Sequence, residues 1–210
     1  MLSAPLLQMW VLVLSAPLLQ MWVVMKQTGF PVCFSLWRIY MSKLNFYDVD
    51  KDYIAYLKRA ETNVRGFTRV PDMEYEGKQK FLCGVVLEIS DFKYYVPVTS
   101  YKKKQTDNIL IIIEHHKYNK VKGSLRFNYM VPVSDKYISK RIIKNEKDVV
   151  RRTFLHDQLQ FCIENEEKIL NQARRTYNVV TKGLNKGLDN NSCMFKLLEE
   201  ACNEYASVQA

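Results

Sequence analysis

Four apolar runs separated by short polar stretches fill residues 80–133, and from Val150 onward the apolar residues change step. That change of period constrains the fold more than any other feature of the chain. "KFLCGVVLEI" (80–89) and "FKYYVPV" (92–98) are rich in β-branched and aromatic residues and are split by Ser90-Asp91, which predicts a hairpin. "ILIIIEHH" (109–116) and "SLRFNYMVPV" (124–133) have the same strand-like character. Ahead of them, "KLNFYDVD" predicts a short strand. Asp50 predicts a cap for the helix "KDYIAYLKRA", whose Tyr53, Ile54 and Leu57 share one face. Residues 61–79 are polar and predict an irregular loop. Beyond Ser134 the pattern turns helical: Val150, Phe154, Leu155, Leu159, Cys162, Ile163, Ile169, Leu170, Ala173 and Tyr177 recur at three- and four-residue steps. Gly183 and Gly187 punctuate it, and "NSCMFKLLEEACNEY" predicts a last short helix capped near Ser192. Strands first and helices afterwards predict an α+β fold: a compact, strongly curved antiparallel sheet flanked by helices, with a helical C-terminal half.

The first forty residues follow neither period. Leu2–Val11 recurs letter for letter as Leu14–Val23, twelve residues on, and residues 1–24 carry no charge. A bilayer span needs ~20 apolar residues, but Pro5, Gln8, Pro17 and Gln20 interrupt this stretch. No basic residue precedes it, as a signal peptide requires. Repeat proteins keep buried positions, let exposed ones drift and generally need three or more copies. Two copies without drift point instead to duplicated nucleotides. The expectation is that residues 1–40 are a misassigned start and that Met41 opens a single domain over residues 41–210; a membrane anchor is the alternative.

Charge and cysteine usage narrow the function. The chain has 31 Lys+Arg against 22 Asp+Glu, a net +9, and a basic surface attracts phosphate backbones. Cys33, Cys83, Cys162, Cys193 and Cys202 form no C-x-x-C pair, which reads as free core thiols in a reducing cytoplasm. His115, His116 and His156 do not complete a metal site with them, because neighbours on a strand face opposite ways. No metal or other cofactor is expected. The chemistry gathers in "VPVTSYKKK", where Thr99 and Ser100 are followed by Lys102, Lys103 and Lys104, with Tyr94, Tyr95 and Tyr101 close by. Hydroxyl and ammonium donors in one loop can hold a phosphate, and interleaved aromatics suit the stacked bases of unpaired RNA. The alternative is a solvated charged turn.

From Met41 on, the chain resembles the ToxN/AbiQ family of endoribonuclease toxins from type III toxin–antitoxin and phage abortive-infection systems, the CptN branch among them. The likeness is carried by "FYDVDKDYIAYLK", "KFLCGVVLEISDFKYYVPVTSYKK", "LRFNYMVPV", "LHDQLQF" and "CMFKLLEE", in that order. It implies a Kid/MazF-like barrel and metal-free RNA cleavage leaving a 2′,3′-cyclic phosphate. It further implies inhibition by a repetitive small RNA, with which the toxin closes into a cyclic assembly. Translation back into such antitoxin repeats would account for the duplicated N-terminal phrase. By the same resemblance the catalytic set falls on Lys80, Thr99, Ser100 and Lys102, and RNA-binding positions on Tyr53 and Tyr75; Tyr101, Lys103 and Lys104 are expected to add to RNA binding. The lysines would stabilise charge on the phosphorane, and the hydroxyls would orient the scissile phosphate or the 2′-hydroxyl. RNA, rather than DNA or a membrane, is the expected partner. A non-catalytic RNA-binding protein on the same fold is the second reading, and a membrane-attached protein, resting on residues 1–24, the third.

Overall fold

The computed structural model describes residues 44–75, 78–115 and 118–208, so the duplicated N-terminal segment and the readings attached to it lie outside the described residues. The chain opens with β1 (Asn45–Val49) and α1 (Lys51–Arg65). Asp50 caps α1 as expected, its Oδ1 accepting from the Tyr53 N–H at 2.8 Å. Gly66 ends the helix at φ +77°, a left-handed turn that glycine adopts at little cost, and donates to the Thr62 carbonyl at 2.8 Å. α1 therefore runs into the stretch expected to be loop, and a small hairpin of β2 (Glu74–Tyr75) and β3 (Lys78–Gln79) follows within it.

Three expected strands appear as β4 (Leu82–Ile89), β5 (Phe92–Thr99) and β6 (Asn108–His115), whereas β7 (Tyr118–Arg126) begins earlier than the strand expected at 124–133 and shares only Ser124–Arg126 with it. "NYMVPV" contributes only the two-residue β8 (Val131–Pro132), and β9 (Ile138–Lys140) lies where helix was expected. All pairings are antiparallel, in the order β6-β7-β5-β4-β1-β9, with β8 also bonded to β5. Among the described residues this path is open, ending at β6 and β9, so the sheet is not the closed barrel that the family resemblance implied.

Helices α2 (Val149–Glu164) and α3 (Glu166–Thr181), short α4 (Lys186–Asn190) and α5 (Phe195–Val208) complete the fold. The apolar period continues through the break at Asn165, so the sequence pattern does not mark it. Leu155, Cys162, Ile169 and Ala173 bury the helical stripe against Phe46, Cys83, Val96 and Leu125 of the sheet. Each large aliphatic so buried contributes about 1.5–3 kcal/mol. Val150 leaves the stripe and is 79% exposed. Cys83, Cys162, Cys193 and Cys202 are buried free thiols. No helix among the described residues is long and apolar enough to cross a membrane.

Two buried carboxylates fasten the helices. Glu61 accepts from the Arg69 and Val70 N–H groups, the Thr68 hydroxyl, the Arg65 guanidinium and the Met194 N–H. It therefore serves the start of α5, where Ser192 was expected to cap; the Ser192 hydroxyl donates to the Leu188 carbonyl instead. Glu199 accepts from Tyr94 at 2.8 Å, Tyr177 at 2.7 Å and Lys196 at 2.9 Å. Burial, with the carboxylate beside it, pushes the Tyr94 hydroxyl well above its ordinary pKa.

Candidate active site and nucleic-acid interface

The strand register brings the expected catalytic residues together. β4 and β5 pair Leu82 with Pro97 and Cys83 with Val96, and Val98 N–H donates to the Phe81 carbonyl at 3.2 Å. One step further, the same register sets Lys80 opposite Thr99. β5 and β7 in turn pair Thr99 with Ser124. Thr99 and Ser124 thus form a row across two strands and share a face of the sheet, and Lys80, two residues before β4, comes level with them when the register is carried on. Lys80 is anchored through its N–H to the Met73 carbonyl at 2.8 Å.

The close approach of β5 and β7 depends on Gly123. A Cβ there would lie 2.6 Å from the Thr99 carbonyl oxygen. The register of β6 on β7 shifts at the same point, between Ile111 and Ile112, leaving Lys122 as the extra residue of a bulge. The buried Gln158 of α2 reaches the bulge, donating from Nε2 to the Lys122 carbonyl at 3.3 Å.

The basic loop that follows β5 is held by its own bonds. Asn108, 1% exposed, donates from Nδ2 to the Lys103 carbonyl at 2.9 Å and accepts the Gln105 N–H on Oδ1 at 2.9 Å. Ser124 donates to the Tyr101 carbonyl at 2.7 Å, and Gln172 of α3 to the Thr106 carbonyl at 3.2 Å. Arg126 lies over the rings of Tyr101 and Tyr129, 4.9 and 4.3 Å from their centroids, and donates to Gln105 Oε1 at 3.2 Å. A solvated charged turn has no such scaffold. Held this way, the loop turns Ser100, Lys102 and Lys103 to solvent. Their side chains make no hydrogen bond or ion pair among the described residues.

Not every expected residue joins this group. Tyr53 is wholly buried, donates its hydroxyl to the Pro132 carbonyl at 2.8 Å and stacks on Tyr137 at 5.0 Å. It is a core residue and corrects the RNA-binding expectation, because no base can reach its ring. Lys104 turns its ammonium back onto the Asn108 carbonyl and so serves the loop first. Tyr101 gives one face of its ring to Arg126. Tyr75 lies in β2, and its side chain is outside the described part of the structure. Ser124, Asn108, Arg126 and Gln158 were not anticipated. Only Gly123 signalled them, since a lone glycine inside a strand marks a bulge or a close backbone approach.

Ammonium groups and hydroxyls gather at one end of an antiparallel sheet in an α+β fold. The family described as Toxin ToxN, type III toxin-antitoxin system, matches residues 45–203, and the chain belongs to that family. Endoribonuclease ToxN of Pectobacterium atrosepticum is 29% identical over 168 residues, which cover 77% of this chain and 94% of the relative. Endoribonuclease AbiQ of Lactococcus lactis subsp. lactis is 28% identical over 173 residues, 78% of this chain and 90% of the relative. A solved toxin from a type III system, selectively inhibited by a non-coding RNA pseudoknot, matches with a TM-score of 0.67 at 27% identity; the match covers 79% of this chain and 99% of that one. AbiQ, a lactococcal anti-phage endoribonuclease, matches with a TM-score of 0.68 at 25% identity and the same two shares.

Proposed function

We propose that this chain is an endoribonuclease toxin of a type III toxin–antitoxin system, cutting RNA without a metal and silenced by a repetitive antitoxin RNA. The observation that carries the reading is the row of Thr99 and Ser124, with Lys80 level with it, beside a preorganised loop displaying Ser100 and Lys102. In RNA the 2′-oxygen attacks the adjacent phosphorus. Its proton passes to solvent, the bond from phosphorus to the 5′-oxygen breaks, and that oxygen takes up a proton. The products are a 2′,3′-cyclic phosphate and a 5′-hydroxyl. Charge builds on the phosphoryl oxygens, where Lys80, Lys102 and the Ser100 hydroxyl supply donors. Lysine and hydroxyl side chains are poor ligands for a hard cation such as magnesium, which favours carboxylates; this supports metal-free chemistry. The buried free thiols fit a cytoplasmic site of action.

The antitoxin carries the same phosphate charge as the substrate, so it occupies the same groove, and a folded repeat touching a second toxin closes a cyclic assembly. Ser100→Ala and Lys102→Ala are each expected to lower RNA cleavage roughly 100- to 1,000-fold and to abolish growth inhibition. Antitoxin binding, spread over many contacts, should largely persist. Cleavage should withstand EDTA; loss of activity on chelation would assign the chemistry to a metal nuclease. Light scattering on the toxin–antitoxin complex tests the closed assembly, and a one-to-one particle rejects it.

A further inference from the structure

The bonds around Ser124 fix the direction in which Thr99 can act. Ser124 is wholly buried and has a single hydroxyl proton. The Tyr101 carbonyl, 2.7 Å from Ser124 Oγ, can only accept, so it takes that proton. Thr99 Oγ1 stands 3.2 Å from Ser124 Oγ and 3.3 Å from the Ser124 carbonyl. With the Ser124 proton committed, both of these atoms can only accept from Thr99. Whichever it chooses, the Thr99 proton points inward, and its half-buried oxygen has only lone pairs left to offer a ligand.

A phosphate has no proton to give such an oxygen at neutral pH and would be repelled by it. The group beside a scissile phosphate that does donate is the ribose 2′-hydroxyl, which DNA lacks. We infer that Thr99 receives a hydrogen bond from the 2′-hydroxyl at the cleavage point, and that Ser124 is the positioning residue that sets this polarity. The inference rests on reading the site as an RNA-cleaving centre. It divides the labour within that centre. Thr99 selects ribose and aligns the attacking oxygen, keeping its own proton throughout, while Lys80, Ser100 and Lys102 serve the phosphoryl oxygens and the leaving group. The 2′ proton, as the new bond to phosphorus forms, leaves to solvent and not to Thr99.

The test uses short RNAs spanning a mapped cleavage site, with the 2′-hydroxyl of that one nucleotide replaced by an amino group or by fluorine. Neither analogue is cut there, so equilibrium affinities can be read by fluorescence anisotropy, in mildly alkaline buffer that keeps the amine neutral. The amine donates and fluorine cannot. The full-length wild-type protein should bind the 2′-amino RNA about fivefold more tightly, the worth of one net hydrogen bond. Thr99→Val, nearly isosteric, should abolish the difference. Ser124→Ala leaves only the longer bond to the main-chain carbonyl and should narrow the ratio of the two affinities, whatever it does to both through the loop that Ser124 also holds. Equal wild-type affinities, or a gap that survives Thr99→Val, would overturn the acceptor role; a gap untouched by Ser124→Ala would overturn the role of Ser124. A protein that cuts no RNA at all would instead overturn the reading of the site.

Discussion

The helical side of the molecule and the end of β5 use polar side chains for opposite purposes. Around α1 and α5, Tyr53, Tyr94, Glu61 and Glu199 are buried, and their side chains close on one another or on main-chain atoms. At the end of β5 it is the main chain that is closed: the carbonyls of Tyr101, Lys103 and Thr106 are taken up by Ser124, Asn108 and Gln172. The side chains of Ser100, Lys102 and Lys103 are left over. Bonds closed between side chains make an interior, and bonds closed on the backbone make a platform with side chains to spare. Residue type alone does not distinguish the two regions.

The comparison can be broken most forcefully at Glu61. Glu61→Ala leaves two main-chain N–H groups, those of Arg69 and Met194, and the Thr68 hydroxyl without their acceptor. Loss of a buried partner of this kind costs roughly 3–5 kcal/mol, to be read from the denaturant midpoint, while cleavage per folded molecule stays unchanged. A midpoint that hardly moves would show that the carboxylate is not what joins α1 to α5. At the site, Asn108→Ala should cost less in stability, about 1–2 kcal/mol for two loop bonds. It should lower kcat/KM by more than that stability loss explains, and normal turnover would mean the loop needs no scaffold.

Smaller still, Tyr53→Phe removes one bond to Pro132 and should cost about 1 kcal/mol, with RNA affinity unchanged. Weakened RNA binding at intact stability would return Tyr53 to the interface. The last expectation concerns pH. Burial holds the Tyr53 and Tyr94 hydroxyls protonated above the ordinary tyrosine range, whereas the unfolded chain releases those protons near about pH 10. Their contribution to stability is therefore complete below that pH and is lost as pH rises beyond it. A phenolate absorbance titration should show these rings ionising together with loss of secondary structure; early ionisation in a folded protein would refute their burial.

Strands with a sustained apolar pattern were legible in the sequence, as were the Asp50 cap and the free core thiols. The omissions share a physical cause. β2, β3 and β9 are two or three residues long and polar, too short to show a period. The break at Asn165 is hidden because the apolar stripe continues across it, and the true partner at the start of α5, Glu61, is 133 residues from Met194. The placement of Lys80 opposite Thr99 follows from pairing two strands that could be recognised. Ser124 and Asn108 could not be found that way. A serine and an asparagine acquire their roles only from which carbonyl lies across the sheet or around the loop, and that is set by register and by the space that Gly123 leaves.

The loop after β5 takes its shape from residues outside its own tip. Asn108, Ser124, Gly123 and Gln172 impose the backbone path, while the side chains at 102 and 103 contribute nothing to it. Structure and recognition are thus written in separate letters. Substitutions at position 103 can retune which RNA is preferred without a folding penalty, and a duplicated copy of this toxin could move to a new target while Lys102 keeps the same cutting geometry.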